Sequence, residues 1–357
     1  MRAFDAKTYV PILLTKRAEL TAISELPAPL KSTTKPLFVV HPRDIDFDGG
    51  SPKKSVADHI SKLPASLIKA WGPGEAFLDL IHIDDDPVGG GEHALEWIVD
   101  ECATSGLLLT PACSPTRSSD YLAAVGRVVA KHGSGICIRV TADEWPGSHG
   151  PGAVDGLMSR FSIGKPSTHL VLDVEGETGN TASTALSAEL RLLPDVGDWA
   201  SVTMAGSGRP SALPTTKGLH EIDRTEWAMY RAIAASHPTR VPSYGDYGIA
   251  SLETLNIDPR VMSISGKITY TADSVWLFAK GDLFKGPAGR SMGGNSVVEP
   301  CRLVAASSKF TNGHCYFEQW VREVAAGTTQ GSGPEQWLRH GTLHHLITVS
   351  EQIASLP

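Results

Sequence analysis

Seven times along this chain a short, almost wholly apolar run is followed by a longer segment of helical period. Residues 9–14, 37–40, 76–83, 107–110, 135–140, 169–174 and 199–205 read as strands. Helical spacing runs over 17–26, 53–71, 93–103, 118–131, 153–161 and 181–193, and an amphipathic helix within 223–250 follows the seventh run; Pro64 is expected to break or kink the second of these helices. A strand that is apolar on both sides has to be covered on both faces, which a parallel sheet with crossover helices provides. The number of units favours closure into a TIM-barrel-like (β/α)8 fold over an open sheet. An open doubly wound sheet would carry a glycine-rich phosphate loop after its first strand, and YVPILLTKRAE contains no glycine.

The eighth strand is expected at 261–265 or at 267–271, the second of these closely followed by 275–279 as a hairpin or added strand pair. Residues 282–296 read as a glycine-rich surface loop, and 308–357 as a largely helical C-terminal part, with helices at 308–324 and 335–356 and an interruption at Gly341. A barrel with insertions reaches 357 residues, so 1–357 is expected to form a single barrel-like domain. With 41% hydrophobic and 20% charged residues the chain can bury a sizeable core. A net charge of −7 leaves out the general basic footprint of a nucleic-acid binder. The five cysteines lack any CxxC spacing and read as reduced thiols of a cytoplasmic protein. No segment approaches the roughly 18 to 20 apolar residues needed to cross a bilayer, and the first residues lack the pattern of a signal peptide. A soluble protein without a membrane partner is expected, with an oligomer left open.

In a barrel the carboxyl ends of the strands converge on one mouth, where catalytic groups are normally placed. Those ends supply His41 with Asp44, His82 with Asp84 to Asp86, Arg139, Asp173 with Glu175, and Arg209 in the GSGRPS turn. An enzyme reading would use His41, His82, Asp173 and Arg209. The competing reading is a polar rim that simply meets water. With no HxH or HExxH pair, neither a metal nor another cofactor is expected. Asp84 to Pro87 reads as a solvated acidic turn, because the spacing of a calcium loop is missing. GSGRPS could hold a phosphate through backbone N–H groups and Arg209, or serve only as a turn. Gly-x-Ser-x-Gly is not expected as an elbow between a strand and a helix, and Cys113 reads as a structural thiol.

Residues 223–250, DRTEWAMYRAIAASHPTRVPSYGDYGIA, join a charged helix start to a dense polar-aromatic cluster. Arg224, Glu226, Trp227, Tyr244, Asp246 and Tyr247 are the candidate ligand or partner surface. Arg224 and Glu226, two residues apart, do not share a helical face, so each is expected to reach a different partner, Arg224 finding Asp246. The pair would either present the tyrosines or act as a buried brace. Of His344 and His345, one is expected in the core and one on the surface.

YVPILLTKRAEL, IDRTEWAMYRAI, VPSYGDYGIA, KITYTADSVWLFAKG and LRHGTLHHLITVSEQI follow one another in an order that resembles the Beta-protein family of bacterial and satellite-phage genomes. The likeness spans nearly the whole chain and rests most on Arg-x-Glu-Trp, Tyr-Gly-Asp-Tyr and the late His-His. It implies a barrel-like α/β fold and a place in a phage-defence or toxin-antitoxin-like module, beside an effector or toxin protein encoded nearby that this chain would bind and restrain. It implies no catalytic residues. The glycine-rich stretch 286–295 departs from the family pattern.

Overall fold

Eight parallel strands close into a barrel in the order β1, β2, β3, β4, β5, β6, β7, β9. They are β1 (Tyr9–Leu14), β2 (Leu37–Val39), β3 (Gly74–Asp79), β4 (Leu107–Cys113), β5 (Ile136–Val140), β6 (Thr168–Asp173), β7 (Ser201–Gly206) and β9 (Ser243–Asp246). This computed structural model describes residues 4–83, 85–88, 91–210, 212–236, 239–250, 258, 263–285, 291–311, 313 and 315–356. The TIM-barrel-like α/β architecture is therefore the one expected from the strand-helix rhythm.

The helices between the strands are α1 (Arg17–Ser24), α2 (Ala28–Lys31), α3 (Val56–Ile60), α4 (Leu63–Trp71), α5 (Ala94–Ala103), α6 (Ser119–His132), α7 (Gly152–Arg160), α8 (Asn180–Leu192) and α9 (Thr225–Ser236). Pro64 lies in the first turn of α4, where its missing N–H costs nothing, and the break falls just ahead of it. Ser55 and Ser118 accept hydrogen bonds from Asp58 N–H and Tyr121 N–H and so cap α3 and α6.

Strand alternation sorts the barrel into two cores. Val10, Ile12, Leu37, Val39, Phe77, Ala112, Cys137, Val171 and Ala205 pack together inside the barrel. Their neighbours, among them Tyr9, Leu13, Phe38, Leu78, Ile138, Leu170, Leu172 and Tyr244, pack outward against the helices. Burying such a side chain contributes about 1.5–3 kcal/mol, so a shift of one residue in register would expose a whole face.

The eighth strand is neither 261–265 nor 267–271. It is Ser243–Asp246, inside the polar Tyr-Gly-Asp-Tyr motif, and it pairs with β1 through Tyr9 and Tyr244 and with β7 through Gly206 and Asp246. At four residues with one apolar outward side chain, it shows no apolar run for a sequence reading to find. Gly245 is needed there: a Cβ would come within 2.9 Å of Val10 O and 3.3 Å of Ala205 Cβ.

The later chain builds a second, smaller core. β10 (Ile264–Thr271) and β11 (Val275–Lys285) form the expected hairpin, joined by β8 (Gly218–Asp223), in an antiparallel sheet of three strands. Ile268, Tyr270, Leu277 and Ala279 meet Val304, Phe317, Trp320 and Val324 from α10 (Val298–Ala305) and α11 (Tyr316–Ala326). The helix read at 308–324 thus starts later, at Tyr316, and α10 lies between that helix and the loop read at 282–296, where no element was expected. The surface loop read at 282–296 is partly strand, since β11 continues to Lys285, and residues 286–290 lie outside the described residues. α12 (Pro334–Ser355) runs through Gly341 without interruption. The glycine is there for closeness, because a Cβ would lie 2.7 Å from Ile249 Cδ1 and 3.1 Å from Thr269 O. Among the described residues no helix is long and apolar enough to cross a membrane.

Candidate functional site

Two residues beyond the inward-facing Phe77, Cys137, Val171 and Gly245 stand Asp79, Arg139, Asp173 and Tyr247. The period of two that fills the barrel with apolar side chains therefore aims these four into its carboxyl-end mouth. Arg139 is the hub. Its Nε donates to Asp173 Oδ2 at 2.8 Å, Nη1 to Asp79 Oδ2 at 3.1 Å and Nη2 to the Tyr247 hydroxyl at 2.6 Å. Tyr247 in turn donates to Asp173 Oδ2 at 2.5 Å. Arg117 Nη1 holds the other Asp79 oxygen at 2.8 Å, and Glu175 N–H holds Asp173 Oδ1 at 2.8 Å. The Arg117 guanidinium also lies 3.7 Å from the centre of the Tyr121 ring.

Burial by itself would depress the Arg139 guanidinium, but Tyr247, Asp173 and Asp79 outweigh it and hold the charge firmly. Burial and then Asp173 push the Tyr247 hydroxyl far above its ordinary range, so it stays a donor. Each oxygen of Asp79 and Asp173 is engaged.

Above this network opens a cavity of about 760 Å³, lined by His82, Arg139, Glu175, Arg209, Thr225 and Tyr247 among others. Glu175 sits at φ 51°, a strained setting for a non-glycine residue. Burial, followed by the Asp173 carboxylate, raises its pKa. His82 is depressed chiefly by burial, although its side chain still reaches solvent. Arg209 is lowered to about 10 by burial.

The family model for Beta protein matches residues 9–351. The chain belongs to the Beta protein family. None of the curated proteins matches it. Among solved structures, a protein from Burkholderia cenocepacia J2315 described provisionally as a lyase/mutase is 14% identical, with 68% of this chain and 77% of that chain covered and a TM-score of 0.33. The spore cortex-lytic enzyme SleL of Bacillus cereus is 8% identical, with 94% and 74% covered and a TM-score of 0.32. Likenesses this distant have no bearing on chemistry in this Beta protein.

Of the candidate catalytic residues of this Beta protein, His82 and Arg209 line the cavity and Asp173 lies beneath it. His41 does not join them. Its Nδ1 meets Thr15 Oγ1 at 2.9 Å, its ring packs edge-on to His59, and burial with the neighbouring His59 and Lys16 lowers it to about 4. Asp79 and Arg117 escaped the sequence reading. Asp79 hides inside AFLDLIHI, where only its spacing of two from Phe77 signals its direction.

The candidate ligand or partner surface on 223–250 is mostly internal. Arg224, Glu226, Trp227, Tyr244 and Asp246 are all at most 3% exposed, and only Tyr247 reaches the cavity. Alternation explains the division, since Tyr244 and Asp246 point outward into the helix layer while Tyr247 points inward. Arg224 does pair with Glu226, Nε to Oε1 at 3.2 Å, because it precedes α9 and is not on the helix. It lies between the rings of Trp227 and Trp276 and donates to Ala272 O, Asp273 O and Gln352 Oε1. Asp246 instead accepts from Tyr9 OH at 2.6 Å, His345 Nε2 at 2.9 Å and Gly248 N at 3.0 Å. His344 is buried as well as His345, its Nε2 meeting Thr271 O at 2.9 Å. Helix α12 is enclosed by the barrel on one side and the small sheet on the other, so adjacent positions on it both face protein. The motif is a buried clamp that fastens α12 to the barrel.

Asp84 lies outside the described residues. Its neighbour Asp85 meets His93 and Ser118, and Asp86 approaches Arg43 at 3.9 Å, so these two acids are engaged by protein groups. No group of three or more His, Cys, Asp or Glu poised to hold a metal occurs among the described residues. Cys113 is buried and its thiol is pushed up to about 12 by that burial.

Proposed function

We propose that this Beta protein is a non-catalytic regulator of an effector protein in a phage-defence or toxin-antitoxin-like module, with the barrel mouth as its ligand-binding site. The observation that carries the reading is the saturation of the two carboxylates in the floor of the mouth: Asp79 and Asp173 spend every oxygen on Arg117, Arg139, Tyr247 and Glu175 N–H. A carboxylate so engaged is a poor base or nucleophile, because taking a proton or attacking a substrate would first break charge-assisted bonds worth about 1.5–3 kcal/mol each. What the network does well is hold a rigid, polar floor under a cavity large enough for a small ligand. The regulatory role itself is supported by family membership and by the family likeness of 222–233 and 241–250.

A second reading, a barrel enzyme of hydrolase or nucleotide-processing type, is favoured by Glu175. Its carboxyl has no side-chain partner among the described residues, has a raised pKa and lines the cavity at a strained backbone position. Co-expression of the chain with the effector encoded beside it separates the two. Glu175→Gln, which keeps the shape of the cavity wall and removes only the titratable carboxyl, should leave neutralisation intact under the regulatory reading; its loss in the correctly folded variant would replace that reading with the enzyme.

A further inference from the structure

The unengaged charges of the mouth are of both signs. Arg139 is taken up by Asp79 and Asp173, which leaves Glu175 and Glu177 on the loop after β6 and Arg209 on the loop after β7. The two loops run side by side, Ser207 N–H donating to Glu175 O at 2.6 Å. The Arg209 side chain is half-buried and its guanidinium makes no hydrogen bond or ion pair with the described residues. Against the same loop lies Glu226, 1% exposed, with Oε1 on Arg224 and Oε2 without a partner among the described residues; a Cβ on Gly208 would fall 1.9 Å from that second oxygen. Lys267 of β10 is near enough for Arg209 to depress it, second to burial, so Glu175 and Glu177 are balanced by Arg209 and Lys267. An anion here would meet carboxylates and a cation would meet the guanidinium. A hydroxyl, which accepts and donates from one atom, satisfies both without a charge.

The opposite wall is apolar. In the closed strand order β2 and β3 stand across the barrel from β6 and β7, and Val39 and Ile81, with Ile12 and Leu14 of β1, line that side of the cavity. Ile81 is 49% exposed, an apolar side chain left facing the space above the mouth.

We propose that the mouth binds an uncharged ring bearing adjacent hydroxyls, a sugar unit, with Arg209 donating to the hydroxyl pair, Glu175 accepting from it, and the C–H face of the ring on Val39 and Ile81. The assignment rests on the reading of the mouth as a ligand site and names the class of ligand. The guanidinium fork presents parallel N–H groups that two neighbouring hydroxyl oxygens can accept together, and a carboxylate on the adjoining loop takes their protons. The cavity of about 760 Å³ holds one such ring, alone or as the ribose of a nucleoside.

The test is saturation-transfer NMR and isothermal titration of the purified full-length chain with glucose, adenosine and deoxyadenosine, the last lacking one hydroxyl of the pair, and with phosphate and ethylamine as charged controls. Wild type, Arg209→Met, Arg209→Lys and Glu175→Met are compared. Wild type is expected to bind glucose, which identifies a free sugar, or to bind adenosine more tightly than deoxyadenosine by about tenfold or more, which identifies a nucleoside. Arg209→Met and Glu175→Met should each weaken that binding by about tenfold or more, and Arg209→Lys, which keeps the charge and loses the fork, should weaken it too and serves if the methionine variant does not fold. Failure of folded wild type to bind glucose or to prefer adenosine over its deoxy form, a charged control binding as tightly as the sugar, or unchanged affinity in the Arg209 variants would each overturn the inference. Neutralisation of the effector by Glu175→Gln is read separately, so the regulatory reading and the sugar site can fail independently.

Discussion

Replacing Asp246 by alanine tests whether the buried clamp, and not a surface, is the purpose of the Tyr-Gly-Asp-Tyr motif. The carboxylate, 2% exposed, is the common acceptor of Tyr9 OH, His345 Nε2 and Gly248 N–H. Alanine leaves three buried donors with nothing to bond. At about 1–3 kcal/mol for each orphaned donor, less what an admitted water recovers, the loss comes to roughly 3–6 kcal/mol. That is a large share of the ~5–15 kcal/mol that holds a typical domain together. Tyr9→Phe, which removes one donor and leaves the other two in place, should cost about 1 kcal/mol. Urea denaturation followed by circular dichroism measures both. A loss below about 1 kcal/mol in Asp246→Ala would refute the clamp, since buried donors cannot be orphaned so cheaply. The same group predicts a pH dependence. Burial pushes the Asp246 carboxyl up, but the His345 imidazole and the hydrogen bonds from His345, Tyr9 and Gly248 together bring it below its ordinary range. With the folded pKa depressed, the stabilisation is complete above the unfolded value of about 4 and is lost as pH falls through the folded one. Wild type should therefore lose stability below about pH 4 more steeply than Asp246→Ala does.

Tyr247→Phe removes the hydroxyl shared by Asp173 and Arg139 while leaving their ion pair at 2.8 Å, so it should cost about 1 kcal/mol in thermal melts and spare the fold. Gly266→Ala should destabilise the small sheet by more than about 2 kcal/mol, because the new Cβ would fall 2.2 Å from Ser296 O, a backbone atom that cannot rotate away. Cys315 is the half-buried member of five free cysteines whose other four are buried, and iodoacetamide labelling with mass spectrometry should find it modified first. Its thiol is itself raised to about 11, chiefly by burial, so labelling should be slow at neutral pH and accelerate in alkali.

The barrel was legible because its evidence is local. Runs such as FVV at 38–40 and LVLDV at 170–174 must be covered on both faces wherever they lie, and each is followed by a helix with one apolar stripe. Arg139, Asp173 and Arg209 were legible for the same reason, being polar residues at or just beyond strand ends. The eighth strand was not, because Ser243–Asp246 is held by pairing with β1 and β7 from distant parts of the chain and carries little hydrophobic signal of its own. Helix α10 was missed and α11 was started too early because their apolar stripes have meaning only against β10 and β11.

By itself, then, the order of residues determined the repeated strand-helix units, their closure into a barrel and the family, all properties of short stretches and their succession. Only tertiary structure decided which side of each strand faces inward, and with it the division of the Tyr-Gly-Asp-Tyr motif. One step of register places Tyr247 in the mouth beside Arg139 and sends Asp246 out to His345. It likewise decided that Arg117 and Arg139 are spent on Asp79 and Asp173 while the Arg209 guanidinium has no partner among the described residues, since whether a charge has a partner depends on distances across the barrel that separation along the chain does not encode.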